Sequence, residues 1–357
     1  MRSTREARGE RQGRRTARLV AAAIALVFGL ADPALRAKGQ AAPLQAIAVD
    51  AIGMTVADMD RALAFYTRVL PFVKIADQEF SGRPYELLSG VFGARTRVAR
   101  LRLGSEEIEL TEFLAPKGRP VPADMQPNDR AFQHLAIVVS DINTAYARLR
   151  EHGVEHASTG PQRLPDWNAN AGGIGAFYFR DPDRHFLEII AFPPGKGQDR
   201  WHQNNTAGPL FLGIDHTAIV VSDTGAALRF YRDTLGLRVA GESENYDIEQ
   251  EHLNNVFGAR LRITALRAAT GPGIELLEYL APRDGRPAPA DLRANDIAHW
   301  QTTIVTGSLE PLIGSARDHR VALVSPGAVD VADAQAAFRS GALTRDPDGH
   351  GMRLVVR

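Results

Sequence analysis

The sequence predicts an α+β protein built from four βαβββ modules, and three observations carry that expectation. First, the chain is written twice. Asp50 returns as Asp215, Phe65-Tyr66 as Phe230-Tyr231, the run 91–95 as 256–260, and 180–183 as 345–348, every pair 165 residues apart. A constant offset of that size marks duplication of a whole domain, since solenoids and propellers repeat at roughly 20 to 50 residues. Second, each copy reads as a strand, a helix and three further extended segments, then reads so again. Third, 44% hydrophobic and 24% charged residues over 357 positions is ordinary globular composition, enough for two sizeable cores.

The elements follow in chain order. Residues 47–56 are an apolar, β-rich run. Residues 58–70 have helical spacing, with Met59, Ala62, Leu63 and Tyr66 on one face and an acidic residue placed to cap the start. Extended segments at 72–80, 96–103 and 107–114 are separated by Gly82 and by Gly104-Ser105. A proline-rich loop at 117–127 leads to the second module: strand 133–139, helix 141–152 closed by Gly153, and strands near 155–162, 176–179 and 186–192. The third module opens at Gly213 with strand 214–221 and helix 223–235, and the fourth opens near Ala298. These boundaries predict a first domain at 46–192, a linker at 193–211 and a second domain at 212–357. The linker, rich in Pro, Gly, Asn and Gln, is long enough to let modules rearrange.

Residues 1–42 have the layout of an export signal. Arg2, Arg5, Arg8, Arg11, Arg14, Arg15 and Arg18 precede an apolar run of 13 residues at 19–31, and small residues follow up to Ala42. That run is short for a bilayer span, so cleavage is expected rather than stable membrane insertion, with an exported product, periplasmic or secreted. The chain has 42 basic and 42 acidic residues. Residues 1–40 hold nine basic and three acidic ones, which leaves 33 basic against 39 acidic and a net charge of −6 elsewhere. A nucleic-acid partner is not expected from that balance. No cysteine is present, so a metal site here must be built from His, carboxylates and amides.

The sequence resembles the vicinal oxygen chelate superfamily, which holds glyoxalase I, methylmalonyl-CoA epimerase, extradiol dioxygenases and bleomycin-resistance proteins. The resemblance rests on Ile214-Asp215-His216-Thr217 entering a strand, Phe230-Tyr231 and Leu235-Gly236 in the next helix, and Ile274-Glu275-Leu276-Leu277-Glu278 in a late strand. Arg180-Asp181-Pro182-Asp183 ahead of Phe186-Leu187-Glu188-Ile189 completes it. It covers 46–192 and 212–357, and it does not choose among the superfamily's activities.

The resemblance implies that modules pair to close cup-shaped mixed sheets, with ligand slots on the first and fourth strand of each module. Those slots are Ala51, Glu109, His134 and Glu188 in the first copy, and His216, Glu275, Gln301 and Arg353 in the second. If each copy closes its own cup, one lacks a ligand and the other carries a cation. If the second module pairs with the third and the first with the fourth, an inner cup collects His134, Glu188, His216 and Glu275. The outer cup then keeps Ala51, Glu109, Gln301 and Arg353. The crossed pairing is favoured, because two His and two carboxylates suit a divalent ion (Ni, Zn, Co, Mn or Fe) with room for substrate. A shared ion requires the ligating nitrogens of His134 and His216 to lie roughly 4 Å apart or less.

The implied activity is a glyoxalase- or epimerase-like lyase or isomerase acting on a small oxygenated substrate through a metal-chelated enediolate-type intermediate. Glu188 is the candidate base and Glu275 its partner carboxylate. The alternatives are an Fe(II) extradiol-type dioxygenase using His134, His216 and Glu188, or a metal-free small-molecule binder of the bleomycin-resistance kind. A monomer or homodimer fits either.

Other polar residues have plainer readings. His185 and His350 recur in both copies before the last strand, which suggests a structural role. Strand alternation points Glu112 and Glu278, and likewise Asp50 and Asp215, away from the cup. His299 and Trp300 are core or pocket wall. Trp167, Asn168 and Asn170 sit in a glycine-rich loop that either closes over a substrate or is an ordinary surface connection.

Overall fold

The computed structural model describes residues 45–203, 208–317 and 321–357. The proposed export signal lies outside them. Each module begins with a strand whose apolar run leads into a short helix, and three of those helices start at an aspartate. Asp58, Asp141 and Asp223 stand in extended backbone, each accepting a hydrogen bond from the N–H three residues on, which satisfies one of the unpaired donors of the first turn.

The first module comprises β1 (Ala46–Val56), α1 (Met59–Arg68), β2 (Val73–Ser81), α2 (Arg83–Ser89), β3 (Arg95–Leu103) and β4 (Glu106–Ala115). The second has β5 (Gln133–Val139), α3 (Ile142–Glu151), two short strands β6 (Glu155–His156) and β7 (Gln162–Arg163), β8 (Gly175–Arg180) and β9 (Phe186–Ala191). In the third, β10 (Phe211–Val220) leads to α4 (Thr224–Leu228), which runs on as a π-helical turn at Arg229–Thr234. Then come β11 (Arg238–Asn245), α5 (Ile248–Asn254), β12 (Arg260–Arg267) and β13 (Gly273–Ala281). The fourth has β14 (Trp300–Thr306), α6 (Glu310–Arg317), β15 (Ala322–Leu323), β16 (Val329–Asp330), β17 (Ser340–Arg345) and β18 (Gly351–Val356). Helix α2 stands where only a turn at Gly82 was expected, and α5 stands in a stretch for which no element was expected.

The modules pair across the repeats. One mixed sheet runs β15-β17-β18-β14-β1-β4-β3-β2, with β16 on β17. The other runs β11-β12-β13-β10-β5-β9-β8-β6, with β7 on β8. The joins are β1 antiparallel to β14, and β10 antiparallel to β5. Module 1 therefore shares an outer cup with module 4, and module 2 shares an inner cup with module 3.

Within a repeat, the two modules meet back to back. Tyr66, Leu70 and Phe72 of module 1 pack with Leu149, Phe177 and Ile189 of module 2, and Tyr231 and Leu235 pack with Leu312 and Met352 in the second repeat. The residues that recur at the 165 offset hold this junction. The Tyr66 hydroxyl donates to Asp181 and the Tyr231 hydroxyl to Asp346, both at 3.0 Å. Those aspartates in turn accept from Nδ1 of His185 (2.9 Å) and of His350 (3.1 Å). Nε2 of each histidine faces a carbonyl of the other cup, Ile297 for His185 (2.8 Å) and Phe132 for His350 (3.3 Å).

The proline-rich arms cross in the same reciprocal way. Arg119 binds Asp296, and Arg286 binds Asp129. Gly118 and Gly285 lie so close to the carbonyls of Asn295 and Asn128 that a Cβ would stand 1.9 Å from either oxygen. Only glycine fits that approach. Among the described residues no helix is long and apolar enough to cross a membrane.

Candidate metal centre

Four strands from two modules place the site. β5 carries His134 and β9 carries Glu188, while β10 carries His216 and β13 carries Glu275. Parallel pairing sets Glu188 opposite Ala136 and Glu275 opposite Ala218, so each carboxylate sits two residues along from the histidine of the neighbouring strand. Period two then turns all four side chains to the concave face.

His134, Glu188 and His216 each offer a ligand atom, and the three atoms lie within 4.8 Å of one another. Glu188 Oε2 stands 3.1 Å from His134 Nε2 and 3.6 Å from His216 Nε2. Glu275 joins from the far side, its Oε2 3.4 Å from His216 Nε2. The first three residues are at most 4% exposed, whereas the Glu275 side chain is 24% exposed and faces the open part of the cup. Neither ring nitrogen of His134 has a hydrogen-bond partner, although both are buried. A buried imidazole with no partner, facing a carboxylate that also faces a second imidazole, has the donor set of a divalent-ion site.

His216 is oriented from behind. Its Nδ1 donates to Asp215 Oδ2 at 3.0 Å, which leaves Nε2 directed at the site. Burial pushes its imidazole down in pKa, but Glu275, Asp215 and Glu188 outweigh burial and push it up to about 9. Asp215 is itself clamped by Trp201 Nε1 (3.1 Å), Gln198 Nε2 (3.1 Å) and Arg267 Nη2 (2.9 Å). Against the cost of burial, the bond from His216 holds its carboxyl below the usual range. The expectation that Asp215 points away from the cup is overturned. The β10–β5 register shifts between Ile214 and His216, a bulge that turns Asp215 to the cavity side. Strand alternation cannot reveal a bulge.

The cup opens into a cavity of about 1370 Å³ measured out to its mouth, lined by His134, Tyr178, Glu188, His216, Arg267 and Glu275 among others. Burial, with Glu188 nearby, pushes the Tyr178 phenol well up, and its ring packs 4.8 Å from that of His134. Nothing in the sequence had singled out Tyr178 or Trp201, the latter lying in the expected linker. The glycine-rich loop spans from module 2 to β11: Asn168 Nδ2 donates to Asn245 Oδ1 (2.8 Å), Asn170 Nδ2 to the Glu242 carbonyl (2.6 Å), and Trp167 stacks on Tyr246. Asn170 also lines the cavity.

The outer cup has the same four slots and a different content. Arg353 reaches Glu109 with two parallel bonds, Nη1 to Oε1 at 2.7 Å and Nη2 to Oε2 at 2.9 Å, and its Nε donates to Thr303. Against the cost of burial, Arg353 holds the Glu109 carboxyl below its ordinary range. A guanidinium at the centre leaves no place for a cation. Glu112 and Glu278 point away from the cups, as expected, and accept from the N–H of Met59 and of Thr224 at the helix starts.

The sequence pattern of the Glyoxalase/Bleomycin resistance protein/Dioxygenase superfamily matches residues 48–189 and 213–354. The chain belongs to this superfamily. Among superfamily relatives, a 2-epi-5-epi-valiolone epimerase from an Actinomyces species is 31% identical over 158 residues, 42% of this chain and 82% of that protein. A lactoylglutathione lyase from Schizosaccharomyces pombe is 24% identical over 197 residues, 53% of this chain and 59% of that enzyme's length. Glyoxalase I from Zea mays has a similar fold, with a TM-score of 0.51 at 16% identity, covering 87% of this chain and 92% of that one.

Proposed function

We propose that this protein is a divalent-metal-dependent isomerase or lyase that moves a proton at a carbon beside a carbonyl of a small oxygenated substrate. The observation that carries the reading is the convergence of His134, Glu188 and His216, with Glu275 beside them, on one cavity. His134, His216 and the two carboxylates would hold the ion, which supplies Lewis acidity toward two neighbouring substrate oxygens. A Glu188 carboxylate oxygen takes the proton from the carbon and becomes the carboxylic acid; it returns the proton itself in a same-face transfer, whereas in an epimerisation the proton returned to the opposite face comes from Glu275. Glu275, on another strand at the open side, flanks the substrate from a second direction. Two carboxylates that flank one carbon suit epimerisation, where the proton leaves one face and arrives at the other. The epimerase relative supports that choice, and 2-epi-5-epi-valiolone is the first substrate to try; the hemithioacetal of methylglyoxal and glutathione is the second.

The test is reconstitution with Ni, Zn, Co, Mn or Fe, followed by turnover in deuterated water. The expected result is about one ion per chain and deuterium at the carbon beside the carbonyl. In Glu188→Gln, some metal is retained and turnover falls by at least about a hundredfold. Full activity in that variant removes Glu188 from the mechanism. A protein that takes up no divalent ion would instead favour a metal-free binder.

A second reading has its own support: His134, His216 and Glu188 alone form a two-histidine, one-carboxylate set, as in Fe(II) oxygenases. Glu275 argues against it by occupying space that a catechol or O₂ would need. Oxygen uptake with catechols by the iron-loaded protein decides between them. We also propose that the protein is exported, on the basic head and apolar run at 2–31. An unprocessed N-terminus on the protein recovered from the cytosol of the producing cells would sink that proposal.

A further inference from the structure

We propose that the outer cup is a second, metal-free binding site for an uncharged molecule of one or two fused rings bearing a single hydroxyl or carbonyl group. A cup that had only lost its metal would be expected to close, because protein interiors pack to the density of organic crystals and leave few voids. This one keeps an open space, about 950 Å³ when the solvent at its mouth is counted in. Its wall is apolar, with Met54, Phe80, Leu88, Val98, Phe113 and Phe338 facing the space. The segment that contributes Phe338 closes one side, tied across from module 4 to module 1 by the Tyr85 hydroxyl, which donates to Asp333 at 3.0 Å.

The charges are already paired. Arg353 is spent on Glu109, and Arg100 is held by Asp50 (2.7 Å) and Glu107 (3.1 Å). A charged ligand would have to break one of those pairs, so an uncharged one fits best. Two lining residues keep buried nitrogens without a hydrogen-bond partner, Arg100 at Nε and His299 at its ring, and of the two the His299 ring is the neutral one. His299 lines the cavity, is 3% exposed, and neither of its ring nitrogens has a hydrogen-bond partner. Burial, together with Arg345, pushes it down to about 3, so it is a neutral imidazole with one donor and one acceptor to offer. A largely apolar chamber with a few polar groups at its wall, here the His299 ring with Gln301 close by, is the usual make-up of a small-molecule site.

The experiment uses 2-naphthol and naphthalene as probes on the full chain, with binding read by probe fluorescence. Saturable binding of one equivalent of 2-naphthol is expected, and it should be unchanged in His216→Ala, which disables the inner cup. Val98→Trp, whose indole grows from a half-buried position into the outer chamber, is expected to weaken binding at least about tenfold. 2-Naphthol should bind roughly three- to tenfold more tightly than naphthalene, the worth of one hydrogen bond, and His299→Phe should erase that preference. If Val98→Trp does not melt cooperatively, the naphthol-to-naphthalene ratio in His299→Phe decides alone. Absence of saturable binding, binding that survives Val98→Trp intact, binding lost in His216→Ala, or an unchanged ratio in His299→Phe would each overturn the proposal.

Discussion

The inner and outer cups are built from the same strands in the same order, and they differ at the centre. Where His216 stands in one, Ala51 stands in the other, and where Glu188 stands in one, Arg353 stands in the other. The inner centre is a cluster of imidazoles and carboxylates that could hold a metal ion. The outer centre supplies its own cation in Arg353. Each repeat contributes half of each cup, so neither copy taken alone is complete or defective. The crossed pairing lets one duplication hold two different centres.

That contrast can be broken at its strongest point first. Replacing His216 by Ala removes one of the two imidazoles proposed to hold the ion. The expected outcome is loss of stoichiometric metal uptake, measured by elemental analysis after dialysis, and with it loss of turnover. Metal bound as tightly as in the wild type would move the centre elsewhere. In the outer cup the equivalent blow falls on stability. Arg353→Met leaves Glu109, 4% exposed, without its partner, which should cost roughly 3 to 5 kcal/mol in denaturant unfolding. Adding Glu109→Gln should return most of that loss, because the cost is that of a buried unpaired charge. A double variant no better than Arg353→Met would show that packing, not charge, was lost.

A smaller effect is expected at Asp215→Asn. The amide can donate to Nδ1 of His216 as well as accept from it, so the tautomer that directs a free Nε2 at the site is no longer enforced. A loss of roughly 10- to 100-fold in metal affinity is expected, with an unfolding midpoint near that of the wild type as the control. Unchanged affinity would make Asp215 a packing residue.

Much of this was legible in the sequence. The strand at 133–139 and the acidic cap of the first helix have local causes, an apolar run and a side-chain oxygen one residue ahead of a helix, and the structure places them where they were read. The four inner-cup residues could be named because metal-ligand slots recur at fixed strand positions and because His216 and Glu188 have no counterparts at Ala51 and Arg353. Asp215 was misread because a single bulged residue breaks period two without any mark in composition. Trp201 and Tyr178 were missed because their roles depend on contacts made from a connecting segment and across a strand pair. The short helix α2 follows Gly82, whose φ is positive and which was read as a turn, and α5 follows Asp247, also at positive φ, in a stretch for which no element was read.

The smallest expected effect concerns what the two repeats kept in common, and it has a pH signature. His185 has an acceptor at both ring nitrogens, Asp181 at Nδ1 and the Ile297 carbonyl at Nε2, so the doubly protonated ring satisfies both. Burial lowers its pKa, but Asp181 and the Ile297 carbonyl outweigh that and push it up to about 8. A folded-state pKa above the ordinary 6.5 means that the folded protein holds this proton more tightly than the unfolded chain. The resulting stabilisation is fully present below pH 6.5 and is lost as the pH rises through 8. Its size is about 2 kcal/mol, the difference between holding the proton at a pKa of about 8 in the fold and at 6.5 in the unfolded chain. In His185→Gln the titrating group is gone while metal ligands and other ionisable residues remain, so their pH effects cancel in the difference from wild type. The stability gap between the two proteins should therefore be widest near pH 6 and shrink by about 2 kcal/mol by pH 9. A gap that stays constant across that range would mean that His185 is neutral in the fold and joins the cups by hydrogen bonding alone.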